Sequence, residues 1–143
     1  MKIEQPLKKA VELMNRAQTE AATIHTGNIP PMEFIEAYRN KASKLPAFRL
    51  RRLVIGNQKN IHELSDWIVE DFRVLGRKYE IRVLDTKKCS YKGMILIDNK
   101  EVMYRKSEKV FYSDDANIVS TISREFEILW SKAKDFMPSL KDE

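Results

Sequence analysis

The chain has 143 residues, 43% of them hydrophobic and 33% charged, with a formal net charge of +5. That is the balance of one folded domain, residues 1–143, rather than of a disordered segment. No apolar run approaches the roughly 20 residues that a bilayer span needs, which excludes a membrane protein of that kind. The opening "MKIEQPLKKAVELM" lacks the apolar core of a secretory signal, so the cytoplasm is the expected compartment.

In chain order, Leu7, Ala10, Val11, Met14 and Ala17 recur every three or four residues, which predicts a helix over 5–17 with Pro6 in its first turn. "EAATIHT" (20–26) reads as a strand that ends at the Gly27-Asn28 break and two prolines. A second helix follows over 32–45, stopped by Pro46. "FRLRRLVIG" (48–56) is a strand with an alternating start and a buried end. Ile61, Leu64, Trp67, Ile68, Phe72 and Leu75 keep helical spacing, with Gly76 as the C-terminal cap. "YEIRVLD" alternates as a third strand, and "GMILID" and "EVMYR" form a hairpin across "NK". "KVFYS" adds a short strand. A last helix runs to Met137, with Ser113 as its N-cap, Asp114 and Asp115 at its positive end, and a core stripe of Ile118, Ile122, Phe126, Leu129, Trp130, Ala133 and Phe136.

The order α-β-α-β-α-β-β-β-α predicts an α/β domain with a mixed, mostly parallel sheet and helices on both faces. Nucleophilic and metal chemistry find little support. Cys89 is the one cysteine and His25 and His62 the two histidines, which excludes a disulfide and a multi-thiolate metal site. Lys87 and Lys88 would favour a Cys89 thiolate, but an incidental loop thiol is the better reading. There is no G-x-S-x-G turn and no Gly-rich phosphate loop, so no cofactor is expected.

The stretch "YKGMILIDNKEVMYRKSE" (91–108) places a carboxylate, Asp98, at the tip of the most hydrophobic strand. A short apolar strand, an Asp, a polar turn and a return strand resemble the core of the phospholipase D superfamily. Its signature is H-x-K-x-x-x-x-D, followed by G-S/G-x-N. With Asp98 as the acid, Tyr91 stands at the histidine position, Gly93 at the lysine position and Arg105–Glu108 at the second motif. A phenol with a pKa of about 10 is a poor substitute for imidazole at neutral pH. The resemblance therefore implies a pseudoenzyme, and the expected role of Asp98 is to fix its hairpin turn.

"PLKKAVELMNRAQTEAATIHT" and "REFEILWSKAKDF", with Phe126, Leu129 and Trp130 in an F-x-x-L-W pattern, resemble the opening and closing of effector domains in archaeal TrmB-type transcriptional regulators. The resemblance implies a transcription-related sensor domain and a homodimer. The chain shows no room for a helix-turn-helix domain before its first strand, so it is expected to be a stand-alone sensor or an excised piece, working with a DNA-binding or kinase partner.

In open α/β sheets, ligands bind beyond the C-terminal ends of parallel strands. The expected ligand-binding residues are His25, Thr26 and Asn28, with Tyr91 and Lys92 entering beside them and Asp98 from the motif. His25 leads, either as a ligand contact or as a histidine hydrogen-bonded to a loop carbonyl. Trp67 and Trp130 are read as core, and His62 as surface. The leading expectation is a non-catalytic regulatory or sensory module that binds a small ligand or a protein partner. The alternative is a nucleic-acid-associated protein that contacts phosphates through Arg49, Arg51, Arg52, Lys87, Lys88 and Lys92. An active phosphodiesterase with altered residues is the third reading.

Overall fold

The computed structural model describes residues 1–136 of the chain. Helix α1 (Pro6–Arg16) leads into β1 (Glu20–His25), α2 (Met32–Lys44) into β2 (Arg49–Ile55), and α3 (Gln58–Glu63) and α4 (Ser65–Leu75) into β3 (Tyr79–Leu84). Three antiparallel strands follow: β4 (Gly93–Ile97), β5 (Glu101–Lys106) and β6 (Lys109–Ser113). Then come α5 (Ala116–Lys132) and a two-residue strand, β7 (Lys134–Asp135). The described strands form one sheet in the order β6-β5-β4-β1-β2-β3-β7.

The sheet is mixed, as expected, but its balance differs from "mostly parallel". Among the described strands only β1–β2 and β2–β3 pair in parallel. The β1–β4, β4–β5, β5–β6 and β3–β7 pairs are antiparallel. Connection length explains part of this: helices separate the first three strands and permit crossovers, whereas β4, β5 and β6 are joined by tight turns that reverse the chain. The β1–β4 pair comes from β4 inserting beside β1. Helices cover both faces. Leu13, Met14, Tyr38, Ile68 and Leu50 pack beneath α1, α2 and α4, while Leu53, Leu96, Ile122, Phe126 and Trp130 pack beneath α5. Among the described residues no helix is long and apolar enough to cross a membrane.

The helices depart from the expectations at four places. The helix predicted across 61–75 is two helices, because Asn57 caps α3 through a reciprocal pair of bonds with Asn60 and Leu64 then ends the turn. The cap of α5 is Asp115, whose carboxylate accepts from Asn117 and Ile118 N–H, while Ser113 accepts from Asp115 N–H. Val119, not Ile118, faces the core; Ile118 is 40% exposed. Residues beyond Lys132 leave the helix, so Phe136 packs against the opposite cluster; Met137 lies outside the described residues.

Candidate functional site

The hairpin between β4 and β5 turns on Asp98 and Asn99, one residue earlier than the expected Asn99-Lys100 pair. Both have φ 55, and Lys100 N–H donates to the Ile97 carbonyl. With its backbone held there, the Asp98 side chain reaches away from its own turn. Its carboxylate accepts from the N–H groups of Gln18, Thr19 and Glu20 and from the Thr19 hydroxyl, each at 2.9 Å. Burial alone would raise its pKa, but these donors hold it below the ordinary carboxylate value. Asp98 therefore fastens the α1–β1 junction rather than its hairpin, and it stands at the N-terminal end of β1.

The opposite end of β1 is built differently. A cleft of about 600 Å³ lies between the sheet and the starts of α1 and α2. Its walls are apolar, with Leu7, Ala10, Phe34, Ile95 and Met103 among them. Thr23 and His25 enter its floor from β1, and Arg52 from β2. Alternation along a strand places Thr23 and His25 on one face, and Thr23 is the register partner of Arg52. Thr23 is 5% exposed, and neither its hydroxyl nor His25 Nε2 has a hydrogen-bond partner among the described residues. Buried polar atoms are nearly always paired, so two adjacent exceptions in one cleft call for an explanation.

Arg52 belongs to a buried ion network behind the cleft. It is 1% exposed and donates from Nη1 to Asp71 (2.7 Å) and to the Tyr79 hydroxyl (2.5 Å). Asp71, itself fully buried, also accepts from Tyr38 (2.5 Å) and from Arg39 Nε (2.9 Å). Trp67 donates to the Tyr38 hydroxyl, and its ring lies 4.4 Å from the Arg52 guanidinium carbon and 4.9 Å from the His25 ring. Burial works against the Arg52 charge, but the Asp71 carboxylate and the bonds to Asp71 and the Tyr79 hydroxyl offset it and keep Arg52 protonated. Burial and then the Arg52 charge lower the His25 pKa to about 4, against upward pulls from the backbone at Gly27 and Asn28. His25 is therefore neutral at neutral pH.

The other sequence-predicted residues are spread around this end. Thr26 and Lys92 line the cleft, joined by a 2.5 Å bond from the Thr26 hydroxyl to the Lys92 carbonyl. Asn28 lies on a neighbouring depression with Gly27 and Ile29. Gly93, at the lysine position of the motif, lines the cleft, where an added Cβ would meet only the Ile24 carbonyl oxygen, at 3.9 Å. Tyr91 points to the other face, packed under α5 and against Tyr104; burial and then Glu125 raise its pKa. Cys89 is raised by burial, which opposes thiolate formation despite the neighbouring lysines. Trp67 and Trp130 are buried and His62 is exposed.

The basic residues do not assemble into one face. Arg52 is interior. Arg51 is clamped by Glu20 and by both carboxylate oxygens of Glu127, beneath α5. Arg49 begins β2, whereas Lys87 and Lys88 follow the far end of β3, which runs parallel to it. Thr23 and Asp71 were not singled out from sequence. Thr23 carries a legible signal, since it is the polar residue two before His25 and shares its strand face. Asp71 carries none, being one acid on an amphipathic helix. Among the described residues no group of three or more His, Cys, Asp or Glu could hold a metal.

No protein-family model matches the chain, and no curated protein matches it in sequence. Solved structures do. The archaeal chromatin protein TrmBL2 aligns over 91% of this chain at 20% identity and a TM-score of 0.67; this chain spans about half (49%) of that protein's length. Nuc from Salmonella typhimurium, a phospholipase D family member, aligns over 91% of this chain and 90% of its own, with 9% identity and a TM-score of 0.63. NucT from Helicobacter pylori covers the same shares at 12% identity and a TM-score of 0.64. These identities speak to architecture alone, and on that level the chain has the phospholipase D-like fold.

Proposed function

We propose that this domain is a non-catalytic regulatory or sensory module that binds a small ligand in the cleft at the C-terminal end of β1. The observation that carries the reading is the pair of buried, unpartnered polar atoms on the cleft floor, Thr23 Oγ1 and His25 Nε2. Each is costly to leave unmade, and a bound molecule with matching groups would satisfy both. Apolar walls around a few convergent polar groups are the usual form of a small-molecule site.

The same geometry argues against phosphodiester chemistry. The motif's nucleophile and lysine positions hold Tyr91 and Gly93. Tyr91 faces α5 rather than the cleft, and its phenol is pushed further from ionisation. A generic phosphodiester such as bis(p-nitrophenyl) phosphate is expected to be hydrolysed no faster with the protein than without it. Occupancy of the cleft is tested by a methyl-NMR titration against a small-molecule fragment set. Shifts should concentrate at Leu7, Ile95 and Met103 and vanish in Leu7→Trp, which fills the cleft; shifts confined to α5 would sink the reading. The signal would pass to a second copy of the chain or to a DNA-binding or kinase partner.

Nucleic acid is the second reading, favoured by the likeness to TrmBL2, a chromatin protein described as showing a novel mode of DNA binding. The scattering of Arg49, Lys87 and Lys88 and the engagement of Arg51 and Arg52 count against the residues first expected to carry it. Binding of a labelled duplex that falls steeply with salt and weakens on mutating Arg49 or Lys88 would restore it.

A further inference from the structure

The cleft floor also says what kind of molecule fits it, an inference that rests on the cleft reading above. Arg39 and Arg52 share one carboxylate, Asp71. With the surrounding phenols and His25 neutral, two guanidinium charges face one carboxylate, Arg39 reaching partly into solvent and Arg52 buried. Both hydrogen bonds of Arg52 leave from Nη1, so Nε and Nη2 are not spent on the described residues, and Arg52 lines the cleft. The Thr23 hydroxyl, its register partner, is unpartnered beside it. An anionic oxygen placed there would meet guanidinium and hydroxyl donors and complete the charge balance.

His25 adds a second requirement. Its ring lies 4.9 Å from that of Trp67, and its Nε2 is buried with no partner among the described residues. A neutral imidazole nitrogen donates or accepts according to its tautomer, and a hydroxyl can meet it in either case. A second anionic oxygen could serve only one of these tautomers, which favours a hydroxyl beside the anion site. From these placements we propose that the cleft takes a small organic acid with an apolar chain and a hydroxyl next to its carboxylate. The carboxylate lies on Arg52 and Thr23, the hydroxyl pairs with His25 Nε2, and the chain runs along Leu7, Phe34 and Met103.

The test is calorimetric titration of the full chain with 2-hydroxyhexanoate, hexanoate, hexylamine and inorganic phosphate. The hydroxy acid should bind, and hexanoate should bind about fivefold more weakly for the lost hydrogen bond. Thr23→Val should weaken the hydroxy acid by about fivefold to tenfold, and Leu7→Trp should abolish it. Hexylamine and phosphate should not compete. Hexylamine or phosphate matching the hydroxy acid, or unchanged affinity in Thr23→Val, overturns the proposal. If other fragments occupy the cleft while neither acid does, only the ligand class fails; if nothing occupies it, the cleft reading fails as well.

Discussion

The two ends of β1 handle their polar groups in opposite ways. At its start, the Asp98 carboxylate takes four donors from the α1–β1 junction. At its finish, Thr23 and His25 each bury a polar atom with no partner among the described residues. Both ends lie on the same pair of antiparallel strands, β1 and β4, and both looked functional in the sequence. A satisfied buried group holds a fold together, whereas an unsatisfied one is a cost that the fold bears for some other purpose. Asp98, the residue that most resembles part of a catalytic signature, thus fixes structure, and the quieter end of the strand carries the candidate site.

The largest effect should come from the network behind the cleft. Asp71→Asn leaves Arg52 and Arg39 without their counter-charge, and urea unfolding should show a loss of about 3–5 kcal/mol. A loss under 1 kcal/mol would mean that the cluster does not need the carboxylate, and the surplus charge assigned to the cleft would be misjudged.

His25 supplies the next. Its folded pKa of about 4 lies below its ordinary 6.5, so between these values the unfolded state binds more protons. Stability is therefore fully present above about pH 6.5 and falls by about 3 kcal/mol as pH drops to about 4. Urea midpoints at a series of pH values should show this slope, and His25→Leu should flatten it. An unchanged slope in the variant would place the titrating group elsewhere.

The two ends can then be compared directly. Asp98→Asn should cost about 2 kcal/mol, because an amide accepts the junction donors less well than a carboxylate. The wild-type advantage should fade only as pH drops below the ordinary aspartate range, since the folded pKa is depressed. Thr23→Val, nearly isosteric, should change stability by less than about 1 kcal/mol or raise it, because no protein hydrogen bond is lost. A Thr23→Val variant as damaged as Asp98→Asn would erase the distinction between the ends.

The sequence revealed the elements where period and punctuation agree: the α1 and α2 spacings, the break at Gly27-Asn28, the Gly76 cap and the β4–β5 reversal. It placed His25, Thr26 and Lys92 at one edge because strand ends follow from strand order. What stayed hidden was long-range. "RLRR" reads as a basic surface, and nothing local shows that alternation turns Arg52 inward to meet Asp71, nineteen residues later. Likewise Asp98 reads as a turn residue, because its donors sit about eighty residues earlier. The balance of parallel and antiparallel pairs depended on β4 inserting next to β1, a placement that no local pattern encodes.

The most direct test is to crystallise the protein and soak it with a fragment set that includes short hydroxy acids. Ligand density in the cleft, within hydrogen-bonding distance of Thr23 and His25, is the predicted result. Fragments gathered instead in the groove of Tyr91 and Glu125 beneath α5, with the cleft left empty, would contradict the account.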